Sequence, residues 1–191
     1  MRVITILTIS FFLFTDLFSQ QQVHRYVTVE HFTNTYCGNC ANRNPAMFAT
    51  LANNEGDHHH IAFHPPYPYN QCSFYQHNTS ENQGRAQFYN IFGAPTIRVQ
   101  GASTGSSNPL LPQSVLNNYL GQTVPVRVTI SEQFINNDFH VSVTIRSFST
   151  PPTGSYKLYS YTWPSLKGKF NSMHPTENHF ITTYSGKCCL I

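Results

Sequence analysis

The chain has 191 residues, a formal net charge of +3 and 10% charged residues. That length holds one ordinary domain and a small companion. No run of five or six like charges occurs, which excludes a basic nucleic-acid surface, a polybasic tail and an acidic arm. Aromatic residues reach 14%, many of them Tyr set among Thr, Ser, Asn and Gln, a composition suited to an exported protein rather than a Lys/Glu-rich cytosolic one.

Arg2 precedes the apolar stretch VITILTISFFLF, and the polar SQQQ (19–22) follows it. A dozen apolar residues behind a basic one read as a signal peptide. A spanning helix needs about 20, and Asp16 interrupts the run first. Residues 1–20 are therefore expected to be a cleaved signal. No Cys near the cleavage point suggests lipid anchoring, and no later run is apolar enough to cross a bilayer. The expected location is the periplasm, the outer membrane's surface or the extracellular space, where CxxC pairs can be held as disulfides.

The segment HRYVTVEHF (24–32) alternates as a strand. The loop holding Cys37-Gly38-Asn39-Cys40 leads into a helix over 41–54, with Ala46, Phe48, Ala49 and Leu51 as its apolar stripe. HHHIAFH (58–64) reads as a second strand with Ile61 and Phe63 inward, and 65–78 as a Pro/Tyr/Asn loop. A helix over 79–92 is expected to be capped by Thr79 or Ser80, with Glu81 or Asn82 near the positive end of its dipole. Gly93-Ala94-Pro95 makes a turn into strand 96–101. A loose stretch (102–109) and a helix over 110–121 complete this part. The alternation implies an α/β domain over 21–121, a mixed sheet flanked by helices.

Composition shifts at 122. TVPVRVTISEQF and FHVSVTIRSF are alternating strands joined by INND, a hairpin signal, and GSYKLYSYTW (154–163) reads as a third. Three strands in about 70 residues make an incomplete all-β, sandwich-like region over 122–191, since a sandwich uses about seven. All four lysines follow residue 156 and periodicity fades after about 162, so the tail reads as atypical.

Cys37 and Cys40 raise three alternatives: a redox couple, a structural disulfide or half a metal site. At a helix N-terminus the unpaired amides and the dipole stabilise a thiolate. Cys37 would then be the nucleophile and Cys40 the resolving thiol, with Gly38 and Asn39 offering no bulk to an approaching peptide. A zinc ribbon wants a second CxxC or a His pair, and adjacent Cys188 and Cys189 supply neither, so no metal ligands are assigned. His58, His59 and His60 read as exposed strand-entry residues, with His58 and His60 on the face opposite His59. His64 is the one placed to approach the site, and a copper-handling role is the rival reading it supports. Cys72 reads as an unpaired accessory thiol, with a regulatory disulfide as the sharper alternative.

VTVEHFTNTYCGNC followed about 55 residues later by FGAPTIRV resembles the thioredoxin-like superfamily over roughly 23–121. More narrowly, it resembles a bacterial secreted, outer-membrane-related thioredoxin-like family with a C-terminal β-sandwich. The resemblance implies a cis Pro95 facing Cys37, with Ala94 and Thr96 beside it and the Ala94 backbone pairing with a bound peptide like an added strand. Tyr36, Gly38, Asn39, Ala94, Pro95 and Thr96 would then dock substrate. Tyr36 stands where Trp is commoner. His31, six residues before Cys37, stands where many relatives bury a proton-transferring Asp, with Glu30 beside it; alternation turns only one of the two inward. The function implied is thiol–disulfide exchange on extracytoplasmic proteins, with protein or peptide thiol/disulfide substrates and a redox partner. The dithiol would carry the electrons without a dissociable cofactor. The alternative is a non-catalytic envelope module with a permanent disulfide.

Overall fold

A computed structural model describes residues 21–135, 138–150, 158–159 and 189–190. The signal peptide expected over 1–20 and nearly all of the atypical tail lie outside them. In chain order the elements are β1 (Val23–His24), β2 (Val27–Phe32), α1 (Gly38–Ala52), β3 (His58–Phe63), α2 (Ser73–His77), α3 (Thr79–Phe88), β4 (Thr96–Val99), β5 (Ala102–Ser103), α4 (Gln113–Asn117) and β6 (Thr123–Val124). Two long strands, β7 (Val126–Ile135) and β8 (Asp138–Ser147), follow, and then the short β9 (Leu158–Tyr159) and β10 (Cys189–Leu190). The protein is thus mixed α/β. Among the described residues no helix is long and apolar enough to cross a membrane.

β2 is the centre of a four-stranded sheet of order β3-β2-β4-β5. It runs parallel to β3 and antiparallel to β4, a parallel pairing that requires the crossover through α1. All six β2 residues are buried, because both faces of the sheet are covered. Side chains alternate across a strand, so Val27, Val29 and His31 face one layer and Thr28, Glu30 and Phe32 the other.

The first layer holds Met47 and Leu51 of α1 against Val27, Val29, Ile97 and Val99, closed by Leu110, Leu111 and Leu116. Burying each such side chain contributes about 1.5–3 kcal/mol. The second layer joins Phe32, Phe63, Ala86 and Ile91. The stripe of α1 differs from expectation. Ala46 and Ala49 are exposed, while Cys40, Met47 and Leu51 are buried. Cys40 sets the phase: 40, 44, 47 and 51 follow the 3.6-residue period.

Helix limits shift for identifiable reasons. α1 begins at Gly38, three residues earlier than periodicity suggests, because Cys37 is its N-cap. α3 is capped by Asn78 instead of Thr79 or Ser80. The Asn78 side chain accepts from the Glu81 amide and donates to its carboxylate, and Glu81 sits in the first turn as expected. The same helix stops at Phe88. Asn90 adopts φ 52°, and Asn90 N–H and Ile91 N–H donate to Gln87 O and Ala86 O at 3.0 and 2.8 Å, a Schellman ending. α4 is shorter than the expected 110–121, starting after Pro112. The loop over 65–78 contains α2, which the Pro/Tyr composition concealed.

β7 and β8 form the expected hairpin, with Val126 opposite Ser147 and Ile135 opposite Asp138. Of the third strand expected over 154–163, only Leu158 and Tyr159 are described, paired with β10. β1 and β6 pair separately, Val23 with Val124.

The expectation that only one of Glu30 and His31 turns inward is overturned: Glu30 is 0% and His31 1% exposed. The reason is that β2 has no solvent face. Glu30 is held by Arg85 Nε at 2.6 Å and by the Tyr89 hydroxyl at 2.5 Å, and Arg85 also donates to the Tyr89 oxygen at 3.0 Å. A buried carboxylate is tolerable only when paired and hydrogen-bonded. Replacing Arg85 by Met strands that charge, and we expect a loss of about 3–5 kcal/mol in urea unfolding. A loss below about 1 kcal/mol would show that α3 is not fastened through this pair.

Candidate functional site

The site is built on the turn from Asn34 to Cys37, between the end of β2 and the start of α1. Cys37 N–H donates to Asn34 O at 3.1 Å, closing a β-turn. The Asn34 side chain shapes it further: Oδ1 accepts from Tyr36 N–H at 3.0 Å, an Asx turn. Its Nδ2 donates to Pro65 O and Tyr69 O at 3.1 and 2.8 Å. One buried amide thus ties the Pro/Tyr loop to the CGNC turn.

Cys37 and Cys40 form a disulfide with a Cα–Cα separation of 5.2 Å. As N-cap, Cys37 accepts the Cys40 N–H at its Sγ, 3.1 Å away, and Cys40 and Ala41 amides also point at its carbonyl. The sulfur therefore lies where helix-terminal N–H groups need an acceptor. Its other side meets the carbonyl of Ala94 at 3.6 Å, and the Ala94–Pro95 peptide is cis. Thr96 closes the turn by donating to Gly93 O at 2.9 Å. Cys37, Cys40 and Ala94 come together, with Pro95 and Thr96 following Ala94 in the chain. Tyr36, Gly38 and Asn39 stand exposed around the disulfide, and a Cβ on Gly38 would meet nothing within 4 Å. The cysteines themselves are 5% and 2% exposed.

His31 and Glu30 separate. His31 faces α1, where its Nε2 lies 3.1 Å from Asn44 Oδ1. Asn44 Nδ2 donates to Thr33 Oγ1 at 3.0 Å. Asn44 is one turn beyond Cys40, on the same side of the helix, so this network lies against the disulfide's helix. Glu30 points to the opposite layer, where Arg85 and Tyr89 occupy its oxygens.

The histidines of β3 are not exposed as expected. His58 and His59 are 9% and 8% exposed, because Tyr26 and α1 cover the edge strand. His58 Nδ1 contacts Asn54 O at 2.9 Å, and His59 stacks on Tyr26 with ring centres 4.8 Å apart. His60 lies between His31 at 5.5 Å and Phe48 at 5.9 Å, on the face opposite His59. Among the described residues no three His, Cys, Asp or Glu side chains converge so as to hold a metal ion. His64 approaches Cys72: Nδ1 is 3.8 Å from the free, buried Cys72 Sγ.

Sequence reasoning missed Asn34, Asn44 and the enclosure of His60. Asn34 in TNTYC had a readable signal, an Asx residue opening a turn. Asn44 was readable once Cys40 defined the buried side of the helix. Nothing local marks His60, which another strand and a helix enclose.

His60 Nε2 is buried without a partner. Desolvation, and secondarily the charge of His58, pull its pKa from 6.5 down to about 4. The unfolded chain then binds a proton that the folded one refuses between these values. Stability is full above about pH 6.5 and falls as pH drops towards 4. We expect His60→Phe to remove up to about 3 kcal/mol of the difference in urea-unfolding stability between pH 7.5 and pH 4.5. An unchanged difference would show that His60 titrates as in the unfolded chain.

No family model, curated protein or solved structure matches the chain.

Proposed function

We propose that the chain is a thioredoxin-like thiol–disulfide oxidoreductase acting on extracytoplasmic polypeptides through Cys37 and Cys40. The observation that carries this reading is the position of the Cys37 sulfur. It caps α1 and abuts the carbonyl of Ala94, in a cis Ala94–Pro95 turn distant in sequence. The order β2-α1-β3-α3-β4, with β3 parallel and β4 antiparallel to β2, supports the same family.

In the reduced protein the Cys40 amide and the α1 dipole favour a Cys37 thiolate. That thiolate attacks a substrate disulfide, forming a mixed disulfide and releasing one substrate thiolate. Cys40 then attacks the Cys37 sulfur, restoring the observed disulfide and releasing the second substrate thiol. Two electrons pass from the dithiol to the substrate, and the reverse sequence oxidises a substrate dithiol. Ala94 offers its backbone, with Pro95 and Thr96, to an extended peptide, and Tyr36, Gly38 and Asn39 line the approach. Tyr36, next to Cys37, is 55% exposed, Tyr69, its ring centre 6.4 Å from that of Tyr36, is 47% exposed, and Phe92, two residues before Ala94, is 83% exposed. Residues 33–42, 65–76 and 86–97 contain no charged side chain. Such a rim favours polypeptide recognised through backbone and apolar side chains rather than charge.

The near-complete burial of both sulfurs favours a second reading, a permanent disulfide in an envelope binding module. Activity separates the two. Cys37→Ser should reduce insulin reduction to background, whereas Cys40→Ser should leave Cys37 reactive towards a disulfide such as oxidised glutathione. A Cys37–Cys40 potential far below about −300 mV, with Cys37 unreactive, would establish the permanent disulfide instead.

A further inference from the structure

Behind the CGNC turn lies a second sulfur group that the exchange above does not use. Cys72 is 0% exposed and its Sγ accepts a hydrogen bond from the Thr35 hydroxyl at 3.2 Å. His64 Nδ1 stands 3.8 Å from the same sulfur. The imidazole is well oriented. Its ring stacks on Phe74 with centres 4.7 Å apart, its backbone N–H is held by Asn82 Oδ1 at 2.7 Å, and Asn82 in turn donates to Phe74 O at 3.2 Å. A thiol, a hydroxyl donor and an oriented imidazole make the arrangement of an activated nucleophile.

Its burial decides which partner it can have. An external disulfide cannot reach a fully enclosed sulfur, so the electrophile has to belong to the protein. Thr35 is a central residue of the four-residue turn that ends at Cys37. The Pro/Tyr loop leading to Cys72 is tied to that turn by the Asn34 side chain. Cys72 therefore packs against the segment that carries the reactive sulfur.

We propose that Cys72 is a third exchanging thiol of this site, activated by His64. The proposal rests on the redox reading of Cys37 and Cys40. The Cys72 proton passes to His64 Nδ1 and the Cys72 sulfur attacks Cys37 Sγ. The Cys37–Cys40 bond breaks, a Cys37–Cys72 bond forms, and Cys40 leaves with the electron pair and takes up one proton through His64 and solvent. No electrons enter or leave. When Cys37 instead carries a substrate sulfur, the same attack releases the substrate as a thiol. Cys72 thus gives the mixed disulfide a second exit, and bridging requires the Pro/Tyr loop to move its sulfur along the turn from Thr35 to Cys37.

The full chain carrying Cys40→Ser tests this. Treated with oxidised glutathione, then alkylated and mapped by mass spectrometry without reduction, it should show a Cys37–Cys72 disulfide as the main product. Cys40→Ser/Cys72→Ser should stop at a Cys37–glutathione adduct. A stable adduct in Cys40→Ser itself, with Cys72 still free, overturns the proposal and leaves the redox reading standing. An unreactive Cys37 overturns both. Adding His64→Gln to Cys40→Ser should slow closure of the Cys37–Cys72 bond about a hundredfold and remove the imidazole inflection from its pH profile. An unaltered rate overturns the role of His64.

Discussion

β2 is buried on both faces, and most of the molecule follows from how it meets that condition. A strand with no solvent side must satisfy its polar side chains within the protein, and VTVEHF carries three of them. Glu30 is met by Arg85 and Tyr89 of the α3 region, and His31 by Asn44 of α1. Each of the two covering layers is therefore fastened to the central strand by a polar contact as well as by apolar packing. Those contacts discriminate between registers, since a one-residue slip would turn Glu30 towards α1 and His31 towards Arg85.

The Cys37–Cys40 disulfide sits just beyond the end of this strand. β2 delivers the chain to Thr33 at the boundary between the layers, and the Asn34–Cys37 turn reverses it into α1. The turn is then fixed from three directions: by helix amides at the Cys37 sulfur, by the Ala94 carbonyl, and by the Pro65–Cys72 loop through Asn34 and Thr35. Groups from elements far apart in sequence meet there because β2 has β3 and β4 as its two neighbours, and both the loop after β3 and the turn before β4 open at the same end of the sheet. Ligand sites at the ends of central strands are a general consequence of such topology.

The long β7–β8 hairpin has a different character. Residues 126–131 of β7 alternate between half-buried and exposed, whereas 144–147 of β8 are all exposed, Ile145 by 50%. The aromatic packing there is local, with Arg127 and Arg146 lying over Phe148 at 5.4 and 5.2 Å. The polar central strand and the charge-free rim of the disulfide belong to the α/β part alone.

Local features of the sequence determined a good deal. Period-2 alternation placed β2, β7 and β8, INND placed the hairpin, and the CxxC spacing put both cysteines in one helical turn, because strand and helix periods are properties of neighbouring residues. The approach of Ala94 and Pro95 to Cys37 was legible only through resemblance, since no local rule joins positions 57 residues apart. Tertiary structure alone decided the rest. It covered the edge histidines that composition suggested were exposed, divided Glu30 and His31 between opposite layers, and set Cys72 between Thr35 and His64. Each of these depends on which element packs on which face, and a side chain's own neighbours in sequence carry no information about what will cover it.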